Sequence, residues 1–430
     1  MESLLFIVLL LVFLFLGFPV AFALGLVGLV IAYLAGIFNP ILITHIMYSQ
    51  GIDSFPLLAV PFFILAGSLM EEGGISQRLI DLAQFVVGRI RGGLAQVAVV
   101  TGMFFGGITG SAIADAAAVG SVLIPAMKKK GYDPAFSAAL AAAAGAVGPI
   151  LPPSIPMIIY AVIANTSVAS LFLGGIVPGA LYGFILMVYS YFYARRRKYP
   201  TEKMPLDLHG FITVSKRGIF PVLMPVIIVG GIFSGVFTAT ESAVVAVVYS
   251  FIVACFIYRE VTLKSIPRIL AATAKSTASI MYIIGFATFL GWVITSEQIP
   301  QKVAEAIFSI SDSPWIIISM LNGLMLVLGC FIDPVSILIL ICPIALPIIK
   351  QIGMDPVHFG VILTVNISIG ALYPPVGELL FVASRIGKVS YFDISKAVIP
   401  MVILLIGLLF LVSLVPDTVL YLPRVFAPGN

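Results

Sequence analysis

The chain has 430 residues, of which 61% are hydrophobic and 10% charged, against roughly 45–50% apolar and about 25% charged in an ordinary soluble domain. That balance excludes a soluble enzyme or a nucleic-acid binder, because the net charge of +4 is small and falls in short loops, where it orients membrane spans. Three scattered cysteines, Cys255, Cys330 and Cys342, form neither a disulfide framework nor a metal motif.

Apolar runs of about 20 residues, enough to cross a hydrocarbon core of roughly 30 Å, begin at the N-terminus. "MESLLFIVLLLVFLFLG" has an acidic flank and no small-residue cleavage pattern, so it reads as a retained span and not a signal peptide. Loop 38–52 carries no Lys or Arg, whereas "GRIRGG" at 88–93 and "KKK" at 128–130 are basic and read as cytoplasmic. The apolar stretch between them, about 93–127, therefore enters and returns on one side as a re-entrant hairpin, turning at "GGITGS", 106–111. A helix over about 134–165 follows, cut by "GPILPPSIP" at 148–156. Broken backbone at membrane depth survives only where it is buried in protein or lines a cavity. The uncharged "IANTSV" at 163–168 and the basic "ARRRK" at 194–198 end this half, and 201–217 is expected as a cytoplasmic linker.

The second half, 218–430, repeats the plan. "YREVTLKSIPR" at 258–268 is basic and "SISDSP" at 309–314 is not. A hairpin over about 315–349 turns at "GCFIDP", 329–334, and a helix over about 356–386 is cut by "GALYPPVGE", 370–378, before the basic "SRIGKV" at 384–389. An offset of 222 lays Pro125 on Pro347, Lys128 on Lys350, Gly131 on Gly353, Asp133 on Asp355, Gly148 on Gly370, Pro152 on Pro374 and Pro178 on Pro400. Matches concentrated in Gly and Pro, and not in the abundant Leu, Val and Ala, reflect repeated structure. Corresponding loops carry opposite charge signals, so the halves 1–200 and 218–430 read as inverted-topology repeats, the plan of secondary transporters. The expected fold is an all-α integral membrane protein of about 10 to 11 transmembrane helices, with two re-entrant hairpins and two broken helices.

Four breaks point to one site. Helix N-termini following Ser111, Ser154, Asp333 and Gly377 aim amides inward and suit a carboxylate. C-termini near Gly106, Gly148, Gly329 and Gly370 aim carbonyls that suit sodium. Candidate substrate contacts are Ser111, Ser154 and Gly377; candidate sodium ligands are Gly107, Thr109, Asp115, Gly148, Asp333, Asn366, Gly370 and Pro374. Structural roles compete with these: N-capping for Ser111, Ser154 and Asp333, a first-turn charge for Asp115, an interhelical hydrogen bond for Asn366. Glu378, a carboxylate at a helix start, opposes an anion. His45, His209 and His358 sit in or beside expected loops with no G-x-S-x-G context, and no P-loop is present, so neither a hydrolase nor an ATP-driven pump is expected. Broken inverted repeats favour alternating access over a channel.

"GGITGSAIADAAAVGSVLIPAMKKKGYDPAFSAALAAAAGAVGPILPPS" and "DPVHFGVILTVNISIGALYPPVG" resemble the large membrane subunit of the tripartite ATP-independent periplasmic (TRAP) transporters. "PFFILAGSLMEEGGIS" at 61–76 and "GVFTATESAVVAVVYS" at 235–250 extend the resemblance over the whole chain. The resemblance implies a sodium-driven elevator in the bacterial inner membrane that takes up an organic acid, a carboxylate or sugar acid. Its implied partners are a periplasmic substrate-binding protein, the lipid bilayer and a small four-helix membrane subunit, expected here as a separate chain; no nucleic acid and no cofactor besides coupling sodium ions is implied. Ala239 stands where the family motif usually has proline, so the family's local shape near Glu241 is not carried over. The alternative is a self-sufficient ion-coupled carboxylate symporter of similar architecture.

Overall fold

The computed structural model describes residues 8–9, 12–13, 16–199, 208–330 and 332–426. Most of the expected N-terminal span, residue 200 and the first part of the linker, 201–207, lie outside the described residues. Every regular element among those residues is helical.

In the first half, α1 (Val20–Leu34) precedes a short α2 (Pro40–His45), a π-helical segment (Ile46–Ile52) and a 3-10 turn (Phe55–Leu58) that leads into α3 (Ala59–Glu72). Then come α4 (Ile75–Val87), the paired arms α5 (Gly93–Thr109) and α6 (Ala112–Lys129), the half-helices α7 (Pro134–Gly145) and α8 (Ile155–Ala164), and α9 (Val168–Arg196). The second half runs α10 (Leu208–Phe233), α11 (Ala239–Ile252), α12 (Ile266–Ser296) and α13 (Ile299–Ile310). It continues with the arms α14 (Pro314–Gly329) and α15 (Pro334–Gln351), the half-helices α16 (Pro356–Gly370) and α17 (Glu378–Gly387), then α18 (Tyr391–Leu414) and α19 (Asp417–Phe426).

Among the described residues six helical runs, the hairpin arm α15 included, are long and apolar enough to cross a bilayer by length and composition. A helix of 15 residues reaches only about 23 Å, so the half-helices, of 10 to 15 residues, stop within the hydrocarbon layer. Their starts are written locally: Asp133 and Asp355 accept N–H bonds from Ala135 (2.9 Å) and Val357 (2.7 Å), each with proline at the first helical position. α4 buries Ile75, Leu79, Ile80 and Ala83 on one face and keeps Gln77 and Asp81, hydrogen-bonded to each other at 2.8 Å, on an exposed one, the pattern of a helix lying along an interface.

Packing entwines the two halves. α17 lies against α6 and α7, whereas α8 lies against α15 and α16. Two polar ties fasten this exchange: Lys128 Nζ donates to the Gly387 carbonyl at 3.0 Å, and the Tyr160 hydroxyl donates to the Pro356 carbonyl at 2.6 Å. Close approach depends on small residues, with Ala138, Ala139 and Ala141 to Ala144 of α7 all buried. Outside this assembly α1, α3, α11 and α12 pack on one another.

Two expectations are corrected. α5 does not end near Gly106 but runs to Thr109, and the Gly106 carbonyl accepts the Gly110 N–H at 3.3 Å instead of lying free. The turn is Gly110–Ser111 alone because Gly110 is left-handed (φ 61°) and a Cβ there would stand 2.6 Å from the Pro153 carbonyl oxygen, so glycine alone fits. α7 stops at Gly145, before Gly148. His358 stands beside the 352–355 loop as expected, in the first turn of α16, and is buried with its Nε2 2.8 Å from the Val412 carbonyl oxygen.

Candidate functional site

Each of the four breaks ends at a helix N-terminus. Ser111 caps α6 by accepting the Ala114 N–H at a long 3.5 Å, and Asp333 caps α15 by accepting the Ser336 N–H at 3.0 Å. Ser154 caps α8 by accepting the Met157 N–H at 3.3 Å, while its own hydroxyl donates to the Pro149 carbonyl. Gly377, left-handed at φ 51°, precedes α17. The breaks are held together by glycine contacts: a Cβ on Gly106 would lie 2.9 Å from Gly148 Cα, and one on Gly329 would lie 2.9 Å from Gly370 Cα.

A cavity of about 160 Å³ joins all four. Its walls include Gly110 and Ser111 from the first hairpin tip, Pro149 and Ile155 from the first break, Asp333 from the second tip, Glu378 from the second break, and Ile280 from α12. Two carboxylates therefore face the chamber that Ser111 faces, and no Lys, Arg or His is among its lining residues. The only positive potential there comes from helix N-termini.

Three buried side-chain oxygens flank the breaks without a partner: Asp115 Oδ2, Asn366 Oδ1 and, one turn past Asp333, Ser336 Oγ. Asp115 is fully buried; its Oδ1 accepts the Thr109 hydroxyl at 2.5 Å, and Oδ2 has no hydrogen bond. Oδ2 points at Gly148, where an added Cβ would collide with it. Thr109 Oγ1 also accepts the Ser111 N–H at 3.1 Å, so Thr109 and Asp115 brace the first tip together. Asn366 is likewise buried: its Nδ2 donates to the Asn322 carbonyl at 3.1 Å and lies 3.2 Å from Asn322 Oδ1, whereas Oδ1 has no partner. An unpartnered carboxylate oxygen and an unpartnered amide oxygen, both beside interrupted backbone, are hard donors that fit a sodium ion.

The other candidates divide. Ser111 and Asp333 line the cavity; Ser154 and Gly377 are buried and do not, and the Ser154 hydroxyl proton is spent within its own break. Gly107 faces Pro225 of α10, with 3.3 Å from an added Cβ to the ring. Gly370 abuts Gly329, and the Pro374 carbonyl lies 3.6 Å from Cys330 Sγ. Both breaks contain a cis Pro–Pro bond, Pro152–Pro153 and Pro374–Pro375. Sequence reasoning overlooked Asn322, 1% exposed, whose Nδ2 donates to Ser413 Oγ at 2.9 Å and so anchors Asn366. An asparagine inside "SMLNGLM" was the available signal, since polar side chains at membrane depth are costly.

Residues 7–418 match the family model described as the tripartite ATP-independent periplasmic transporter, DctM component. The chain is 39% identical over 413 residues to the sialic acid TRAP transporter large permease protein SiaM of Vibrio cholerae, covering 96% of each chain. It is 42% identical over 373 residues to the C4-dicarboxylate TRAP transporter large permease protein DctM of Pseudomonas aeruginosa, covering 86% of this chain and 87% of that one. With the isethionate TRAP transporter permease protein DctMQ of Oleidesulfovibrio alaskensis it shares 40% over 404 residues, 94% of this chain but 64% of that one, so it spans less than two thirds of that relative. Among solved structures, the Alcanivorax borkumensis YdaH transporter superposes with a TM-score of 0.61 at 15% identity, covering 96% and 97%. Neisseria gonorrhoeae MtrF does so with 0.61 at 14%, covering 89% and 85%. At these identities the two structures share the fold alone.

Proposed function

Since this chain belongs to the DctM component family of tripartite ATP-independent periplasmic transporters, and is a transport permease and not an enzyme, we propose that it is the large permease of a sodium-coupled importer of small organic acids in the bacterial inner membrane. Its relatives are named for sialic acid, C4-dicarboxylates and isethionate, all anions. In this reading a periplasmic binding protein delivers the acid and a small membrane subunit completes the permease. The hairpins and half-helices carry the acid across as a unit that slides against the outer helices.

The observation that carries the proposal is the meeting of four breaks at a cavity walled by Asp333 and Glu378 and by no basic side chain. Two unit charges about 6 Å apart at an effective dielectric of about 20 repel by about 3 kcal/mol. An anion entering this chamber alone is therefore opposed, and one accompanied by cations is not. Asp115 Oδ2 and Asn366 Oδ1 are the donors for sodium, while the Ser111 hydroxyl and the amides that start α6 receive the acid group. Sodium binding and anion binding then favour each other, and reciprocal coupling of this kind drives symport.

The test is uptake into proteoliposomes holding this chain, its small subunit and the cognate binding protein. An imposed inward sodium gradient should drive accumulation. Uptake that ignores sodium overturns the coupling, and uptake by this chain alone replaces the tripartite reading with a self-sufficient symporter.

A further inference from the structure

A second cavity, of about 620 Å³, lies between α12, α15, α8 and the π-helical segment. On α12 its lining runs from Ile284 to Thr295 and on α15 from Ile339 to Lys350, in each case about three helical turns or roughly 16 Å. One turn before these starting points, Ile280 and Val335 line the four-break cavity. The cleft and the candidate site are thus stacked along the same two helices, about one turn, roughly 6 Å, apart.

The chemistry of the cleft is the reverse of the site below it. Lys350 is the only charged residue of its lining, which contains no carboxylate. The repeat equivalent, Lys128, is tied to the Gly387 carbonyl at 3.0 Å, but the exposed Lys350 ammonium has no hydrogen-bond or ion-pair partner among the described residues. Symmetry of the backbone has been kept and the tie dropped. Thr288 donates its hydroxyl proton to Ile284 O at 2.9 Å and Thr295 to Gly291 O at 2.7 Å, leaving both oxygens able to accept. Loop charges put the Lys350 end of α15, like the uncharged turn after α8, on the periplasmic side.

We propose that this cleft is a separate periplasmic binding site for the transported acid, occupied before the four-break cavity. The Lys350 ammonium takes the acid group, and the Thr288 and Thr295 oxygens accept from hydroxyl or amide groups on the body of the ligand. The ligand class is a small organic anion with one acid group at its periplasmic end and hydrogen-bond donors along the body that reaches toward the four-break cavity. This rests on the import reading above, and it assigns the first contact inside the membrane domain to a residue outside the breaks.

Only Trp292, in the cleft, and Trp315 are tryptophans, so Trp315→Phe leaves a single reporter in the full chain, reconstituted in nanodiscs. At constant ionic strength, iodide should quench Trp292, and Lys350→Gln should lower the iodide quenching constant about 3-fold while leaving neutral acrylamide quenching unchanged, because removing one attracting charge lowers the local anion concentration by about that factor. N-acetylneuraminate or isethionate should protect Trp292 from iodide in the parent and not in Lys350→Gln. In proteoliposomes with both partners, Lys350→Gln should slow uptake about 5-fold at subsaturating substrate, with Lys350→Arg restoring it and the sodium dependence unmoved. Iodide quenching that ignores Lys350, or quenching by brominated phospholipids alone, overturns the proposal by showing that lipid fills the cleft. Sodium-driven uptake that is identical in the parent and Lys350→Gln overturns this proposal alone, whereas no uptake by the parent complex overturns the import reading beneath it.

Discussion

Asp115→Asn is the perturbation that separates an ion ligand from a structural carboxylate. Asn has the same shape and keeps an oxygen for the Thr109 hydroxyl, which lies 2.5 Å from Asp115 Oδ1, so packing is preserved and the charge alone is removed. Without sodium, the parent keeps a fully buried carboxylate whose Oδ2 has no partner, a state that costs several kcal/mol. The variant should therefore be at least as stable as the parent in choline chloride. With sodium the order reverses. Breaking a buried ion pair costs about 3–5 kcal/mol, which lowers sodium affinity by about 10²-fold or more. At a sodium concentration of about 100 times the parent's dissociation constant, the parent gains about 2.7 kcal/mol and the variant about 0.4 kcal/mol or less. Thermal unfolding in nanodiscs, in choline and then in sodium, should show a rise of a few degrees for the parent and almost none for the variant. An equal rise in both would refute sodium binding at Asp115. A variant already destabilised in choline would show that the carboxylate is held by the protein and not by an ion.

Three further expectations concern the tips and the first break. Ser154→Ala leaves the buried Pro149 carbonyl without its donor and should cost about 1–3 kcal/mol of stability. Ser111→Ala, which loses a cap bond of 3.5 Å, should cost only about 0.5 kcal/mol and slow uptake instead. Thermal unfolding beside uptake assays distinguishes them, and Ser154→Ala as stable as the parent would break the assignment. Cys330 is 4% exposed, with Sγ 3.4 Å from the Leu326 carbonyl oxygen and 3.6 Å from that of Pro374. With Cys255 and Cys342 replaced by Ala, an impermeant maleimide added outside should label Cys330 slowly, and sodium with substrate should slow it further. Labelling at the rate of a loop cysteine under every condition would show that the second tip does not close over the site.

The breaks were legible in the sequence because their causes are local. Proline at a first helical position, Asp before it, and left-handed glycine each act within a few residues, so Asp133–Pro134, Asp333–Pro334 and Asp355–Pro356 announce the helix starts they make. What was misread depends on distant chain. The first hairpin arm runs past Gly106 because the tip is shaped by Pro153, 43 residues beyond Gly110. Ser154 looked as available as Ser111; only the fold shows that its hydroxyl is spent on Pro149. Asn366 was read as a ligand or a tether, and it is a tether through Nδ2 with Oδ1 left over. The Asn322–Ser413 bond that completes the tether joins residues 91 apart, beyond any periodic pattern. The cleft beneath Lys350 is a gap between helices remote in sequence, and no spacing rule describes a gap.

The two halves share a backbone plan and differ in chemistry at the positions that matter. At the repeat offset of 222, Asp115 falls on Ile337, and Asn366 falls on Ala144. The charged donor thus lies in the returning hairpin arm of one half, and the neutral donor lies in the half-helix before the break of the other. A sodium ion at Asp115 meets a full negative charge and leaves no net charge behind. A sodium ion at Asn366 meets a dipole and leaves one positive charge beside the glycine contact of the second break. If both ions bind, the second therefore supplies the charge that an incoming acid group needs, because the cavity walls supply none and carry Asp333 and Glu378 besides. Duplication explains why there are two breaks. Under the proposed sodium coupling, divergence of single side chains within them would give one fold a cation for neutralisation at Asp115 and another for attraction at Asn366.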